Sequence, residues 1–212
     1  AVVAGVGEQV PVTGKIRVGW DSSMINAVEV TGILEDCGMA AVSVHGRTRA
    51  QGYTGEADWE IIDACARSVS IPVVGNGDIT SGLDVERRKT QTAVQGIMIG
   101  RAAMQNPWVF REAKHYLKTG RHPEPAPTAE RWQLMTRHCR EAIAWGRYGN
   151  ECRTMMAMRS RLMAYTKGLP AGKRLRSALC RVESLGQLED IANDYLNHHP
   201  GTPPGDNTFA AA

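Results

Sequence analysis

VSVHGRTRAQGYTGEADW, Val42 to Trp59, is the stretch whose reading decides the fold. Apolar and small residues lead into His45 and Gly46, and Arg47 and Arg49 follow at once. A polar loop then runs to Asp58 and Trp59. A strand that ends in a dense set of polar groups is one that delivers side chains at its C-terminal end.

Three further runs share the pattern of AAVSVHG (40–46). They are VPVTGKIRV (10–18), IPVVGNG (71–77) and GIMIGR (96–101). Three of the four are apolar at most positions, as expected of strands buried on both faces. The first alternates and carries Gly14, an unusual choice inside a strand. Helices are expected between them. Asp21 or Ser22 is placed to cap one running to about Cys37, with Gly38 at its end. Asp58 is placed to cap a second, and Thr80 or Ser81 a third. The alternation implies parallel strands joined by right-handed crossovers.

Spacings of 30, 31 and 24 residues, from Lys15 to His45 to Asn76 to Gly100, suit a doubly wound sheet or part of a (β/α)8 barrel. The strand ends favour the barrel. Each is polar or glycine: Lys15 with Arg17, His45 with Arg47, Asn76 with Asp78, Gly100 with Arg101. In a barrel such ends converge on one site, whereas in an open sheet they spread along an edge.

Beyond Arg101 the texture changes. Asn106-Pro107-Trp108 is expected to open a helix, and PEPAPTAE (123–130) reads as a proline-rich linker. Helices are expected over 129–146, 151–168 and 172–198, and the tail 200–212 is expected to be disordered. Charge is uneven. Residues 131–181 hold 12 Lys/Arg against Glu141 and Glu151, while 182–212 hold five acids and no Lys or Arg. A block this basic fits a polyanion partner, or a helix pair with a solvated basic face. The five cysteines form no CxxC pair, which points to reduced thiols in a cytoplasmic protein and to no metal site. No apolar run suits a membrane span, and the first residues lack the pattern of a signal peptide. The absence of an initiator Met suggests a fragment.

Gly75-Asn76-Gly77-Asp78 and Gly100-Arg101 each follow a strand. Glycine admits close backbone approach, and paired turns of this kind fit a phosphate. Lys15 is costly to bury without an anionic partner, whether a ligand ring or a local acid. A lone His45 at a strand end is more often a structural hydrogen-bonder than a catalyst. Arg47 and Arg49 are expected at the mouth, facing the phosphates of a large substrate.

PVTGKIRVGWD, VSVHGRTRAQGYTGEADW, IPVVGNGDITS, GIMIGRAAMQNPWVF and MRSRLMAYTKGLPAGKRLR, in this order, closely resemble the tRNA-dihydrouridine synthase family. The resemblance implies a fold. It is an α/β chain, the C-terminal half of a (β/α)8 TIM barrel (strands 5–8, residues 1–122) followed by a small all-α, tRNA-binding helical domain (129–199). It implies FMN as cofactor and NADPH as reductant. It also implies reduction of the C5–C6 double bond of a tRNA uridine. Lys15 matches the lysine at the flavin ring, and His45 a histidine near the flavin and its phosphate. Asn76, Gly77, Asp78, Gly100 and Arg101 match the FMN-binding turns. Arg47 and Arg49 match the RNA-facing rim, and Arg159, Arg161, Lys167, Lys173 and Arg174 fall in the tRNA-binding part. The partner implied is tRNA; no membrane and no protein partner is indicated.

Gly14 departs from the family, which has an apolar residue there. The family's proton-donating cysteine belongs to an earlier part of the barrel and matches none of the five cysteines. The chain is therefore expected to be the C-terminal part of a longer enzyme, binding FMN poorly and reducing nothing alone. Two other readings stay open: a noncatalytic tRNA-binding remnant, and a flavin barrel reducing a free pyrimidine.

Overall fold

The computed structural model describes residues 1–7 and 9–199; the tail read as disordered lies outside them. Four strands, β1 (Thr13–Arg17), β2 (Ala41–His45), β3 (Val73–Asn76) and β4 (Gly96–Met98), form one parallel sheet. Their order is β1-β2-β3-β4. A doubly wound sheet reverses direction at its switch point. This one advances one strand per crossover, as a segment of a (β/α) barrel does.

A short helix, α1 (Val2–Val6), precedes the sheet, and the crossovers are α2 (Ala27–Asp36), α3 (Trp59–Ser68) and α4 (Gly82–Gln91). Asp58 caps α3, accepting from the N–H groups of Glu60 and Ile61. Ser81 and Asp84 form a reciprocal capping box on α4. The cap expected at Asp21 or Ser22 does not form, and α2 starts at Ala27 instead. Asp21 is used locally: its carboxylate accepts from the N–H and hydroxyl of Ser23. Val18 O accepts from the N–H groups of both Asn26 and Ala27, so the intervening chain loops out.

Strand register sorts the side chains onto two faces. Gly14, Ile16, Val42, Val44, Val73, Gly75 and Ile97 share the face covered by helices. Val42, Val44 and Val73 are fully buried there against Ile62, Trp59 and Cys65. Gly14 has a packing reason: a Cβ there would sit 3.0 Å from Leu34 Cδ1 of α2. The other face carries Lys15 and Ser43, then Arg17, His45, Asn76 and Met98 abreast. Ser43, Val74, Asn76 and Met98 are only half-buried, and Lys15 is exposed. The strands are thus buried on one face, not on both as their apolar runs suggest. Among the described residues the crossover helices cover only the side with Leu34, Trp59 and Ile62.

The described chain continues through α5 (Arg101–Gln105), α6 (Val109–Thr119), α7 (Thr128–Trp145), α8 (Glu151–Tyr165), α9 (Gly172–Leu179) and α10 (Leu185–His198). Two compact units result. One holds Ala1–Ala103 and Val109–His122; the other holds Met104–Trp108 and the chain from Pro123. The second has its own core, with Trp132, Met135, Cys139, Met155, Leu162, Leu179 and Leu188 fully or almost fully buried. The single helix expected over 172–198 is two. Ser184 Oγ caps α10 on Gln187 N–H, and the Gln187 side chain accepts from Glu183 N–H. Those bonds favour a break over a continuous helix. No described helix is long and apolar enough to cross a membrane.

Gly75 tests the packing of α3 on the sheet. A Cβ there would approach Trp59 Cζ3 to 2.5 Å. Gly75→Ala is expected to lower unfolding stability by about 1–3 kcal/mol in urea denaturation, the usual cost of overpacking. An unchanged midpoint would contradict this packing.

Candidate functional site

Gly46 begins the loop after β2 and also closes it. Its N–H donates to Asn76 O, and its carbonyl accepts from Asp58 N–H at 2.7 Å. A Cβ at 46 would stand 2.8 Å from both Asp58 N and Asp58 O, so only glycine passes. The loop 47–57 therefore leaves and returns at one point above the sheet's C-terminal end.

Arg47 and Asp78 hold that loop. Arg47 is 3% exposed. Its Nη2 donates to Asp78 Oδ2 at 2.9 Å and to Gly55 O, and its Nε donates to Thr54 O at 3.2 Å. Its Nη1 lies 2.8 Å from Asp78 Oδ1 in ion-pair contact. Asp78 Oδ2 also accepts from Ala57 N–H, and Oδ1 accepts from Arg101 Nη2 at 3.1 Å. Asp78 takes a left-handed backbone, φ 53°, which costs energy for a residue other than glycine. Burial pushes its carboxyl up. The bonds from Arg47 and Ala57, and the charges of Arg47 and Arg101, outweigh that and hold it below the ordinary value.

Arg47 was expected at the mouth; its guanidinium is instead turned into the loop, with Nε and Nη2 donating to protein carbonyls and Asp78, while the buried Nη1 makes the ion-pair contact with Asp78 and no hydrogen bond among the described residues. Arg49 is exposed, and its backbone N–H donates to Gly19 O. Arg101 is half-exposed, lying 4.8 Å over the Tyr53 ring while paired with Asp78. Gly77, φ 137°, accepts from Trp59 Nε1 at 3.1 Å and has no room for a Cβ, which would meet Ala57 Cβ. Gly100 has open space around it, with Asn76 Nδ2 nearest a virtual Cβ at 3.9 Å.

The face beside this loop is short of negative charge. Lys15 has no ion-pair partner among the described residues, which removes the local-acid reading. Although the residue is exposed overall, partial desolvation of its amine and then the Arg17 charge lower its pKa. His45 is buried, and its pKa is lowered to about 4 by burial, then by Arg17, Lys15 and Arg47, with Asp78 opposing. At pH 7 it is neutral. Asn76 Nδ2 donates to Met98 O, which fixes its amide beside His45. Arg17 donates to Thr48 O and Gly52 O, a second anchor for the loop. The loop anchors Arg17, Tyr53 and Trp59 are absent from the sequence-derived site. Only the position of Arg17 at a strand end hinted at its use.

In the second unit the basic residues divide. Lys167, Lys173 and Arg174 are exposed. Arg159 donates to Val182 O and pairs with Glu183, and Arg161 donates to Ala157 O. Arg131 is 6% exposed and donates to Ala126 O, Tyr165 O and Lys167 O. It is a structural bolt inside the basic block. Cys65 and Cys139 are buried; Cys37, Cys152 and Cys180 are exposed, and none lies in β1–β4.

The sequence model of the family described as dihydrouridine synthase (Dus) matches residues 1–198. The tRNA-dihydrouridine synthase B of Pseudomonas aeruginosa is 43% identical over 183 residues, 86% of this chain and 54% of that protein. That of Proteus vulgaris is 38% identical over 93% of this chain and 60% of its own length. A probable tRNA-dihydrouridine synthase of Rickettsia conorii is 37% identical over 89% and 56%. The chain spans about half the length of the curated relatives it matches. A solved mandelate oxidase mutant aligns over 85% of this chain and 57% of its own. At TM-score 0.30 and 17% identity, that likeness is too slight to bear on the fold.

The depressed His45 value sets a pH dependence. Between pH 6.5 and about 4 the unfolded chain takes up a proton that folded His45 refuses. Stability contributed by His45 is thus present above pH 6.5 and lost as pH falls toward 4. His45→Gln is expected to flatten the fall of stability with pH in this window, read by denaturation at a series of pH values. A slope equal to wild type would show that His45 is not held neutral.

Proposed function

Because the chain belongs to the dihydrouridine synthase family, we propose that it is part of an FMN-dependent tRNA-dihydrouridine synthase. The reaction is reduction of the C5–C6 double bond of specific tRNA uridines, with NADPH as the reductant of the flavin, in the cytoplasm. The observation that carries this reading is the open sheet face. It aligns Lys15, Arg17, neutral His45 and Asn76 beside one fully engaged carboxylate among the described residues, Asp78. A face with that charge balance fits an anionic ligand and disfavours a cationic one.

FMN, when bound, supplies hydride to C6 of the uridine. This chain's residues bind and orient. Lys15 would hold the flavin ring, supplying a positive charge to a group that takes up electrons. His45, held uncharged, would offer a ring nitrogen to the flavin and its phosphate. Asn76, Gly77, Asp78, Gly100 and Arg101 form the turns that meet the ribityl phosphate, with Asp78 acting through the Arg101 it orients. Arg49 lies at the RNA-facing rim, and the second unit supplies Lys167, Lys173 and Arg174 to tRNA phosphates. Arg159 and Arg161 support that surface through the bonds they make to backbone carbonyls. The target uridine is turned out of its stack to reach the flavin. None of the five cysteines stands on the open face, so the proton for C5 comes from elsewhere. The same observation favours a second reading, a noncatalytic tRNA-binding remnant.

Flavin fluorescence during titration of the 212-residue chain with FMN separates the two. The synthase reading expects weak, saturable quenching, loosened by Lys15→Met roughly tenfold or more, the worth of one charge-assisted bond. No saturable quenching at all, with tRNA still bound in a salt-dependent way, would leave the remnant. With tRNA, FMN and NADPH the chain alone is expected to form no dihydrouridine. Turnover would overturn the assignment of the C5 proton to a group outside it.

A further inference from the structure

The turn between α7 and α8 carries an aromatic cluster that the flavin-facing sheet does not use. Trp145 ends α7 and is 76% exposed. Tyr148 lies three residues on and is also exposed. The Arg147 guanidinium sits 5.9 Å from the Trp145 ring and 5.8 Å from the Tyr148 ring. Two flat rings and a planar cation thus form one cluster facing solvent.

The turn that presents them is fixed at both ends. Gly146, φ 69°, caps α7 with its N–H on Ile143 O. Gly149, φ 88°, donates to Gly146 O. Asn150 caps α8 by accepting from Arg153 N–H at 2.9 Å. Positive φ at 146 and 149 is cheap only for glycine, so the conformation is written into GRYGN. A surface held in place before binding loses less freedom on binding.

Local charge selects the ligand. Arg137 is neutralised by Glu141 and Arg140 by Glu189. Glu151 accepts from Leu185 N–H. Arg147 and Arg153 have no acidic partner among the described residues. The surplus is positive, within a block of 12 Lys/Arg and two acids over 131–181. Cations alone would suit any polyanion. Flat aromatic rings beside a guanidinium suit the exposed face of a nucleobase. In a duplex those faces are hidden by stacking.

We propose that Trp145, Arg147 and Tyr148 form a stacking platform for an unpaired nucleobase of the bound RNA. This rests on the tRNA reading above and adds a base contact to its phosphate contacts. The rings hold the base face, and Arg147 meets the adjoining phosphate. The platform reads accessibility more than base identity, since every base has such a face.

The test is fluorescence polarisation of the 212-residue chain at fixed salt with three probes: tRNA, a short unpaired RNA, and an RNA duplex of equal length. Trp145→Ala is expected to weaken tRNA and the unpaired RNA about tenfold, the worth of one stacked base, and the duplex less than about twofold. Trp145→Phe, which keeps a ring, is expected to recover most of the loss, so a mere folding defect is distinguished. Trp145→Ala binding like wild type, or weakening all three probes equally, would overturn the platform. So would a Trp145-dependent dimer in sedimentation, which would make the cluster a protein contact. A wild-type chain that binds no RNA would remove the tRNA reading and the platform together. Salt-dependent tRNA binding untouched by Trp145→Ala would remove the platform alone.

Discussion

The candidate site depends on one ion pair, Arg47 with Asp78. A guanidinium 3% exposed needs a partner, because an uncompensated buried charge costs several kcal/mol. Asp78 supplies it from the turn after β3, while Arg47 comes from the end of β2. The pair therefore ties two neighbouring strand ends together. Through Thr54 O, Gly55 O and Ala57 N–H it also fixes the loop between them. Arg101, after β4, is drawn in by the same carboxylate. Three successive strand ends are thus held by one acid.

That arrangement gives the polar residues two different duties. Arg47 and Asp78 pair with each other and hold the loop. Lys15, His45 and Asn76 lie on the half-open sheet face and have little neighbouring negative charge. Burial and surrounding cations keep His45 neutral, and partial desolvation with the Arg17 charge lowers the pKa of the more exposed Lys15. An anion placed there would relieve the excess.

Much of the first unit was legible in the sequence. The parallel α/β alternation, the Asp58 cap and the Ser81 cap follow from local chemistry that any strand-helix series obeys. The polar strand ends pointed to a barrel, and the sequential strand order agrees with that. The sequence did not reveal that Arg47 is buried. HGRTR reads as a polar run, and only the return of the loop at Gly46 and Asp58 carries Asp78 to it. It did not reveal the open face either, because Val and Ile runs look alike whether one or both faces are covered. The helix expected over 172–198 broke because Ser184 and Gln187 compete for local backbone groups. In the basic block, charge counting treated every arginine as surface. Arg131 is an exception: three backbone carbonyls hold it inside.

The most direct measurement is a double-mutant cycle on Arg47→Met and Asp78→Asn, read by chemical denaturation. Asparagine tolerates the left-handed backbone at 78, so the cycle reports the charge pair and not the turn. The account predicts strong coupling, about 1–3 kcal/mol, with the double variant more stable than the sum of the single losses implies. Additive losses would mean that Arg47 and Asp78 act independently, and that the loop is held by something else.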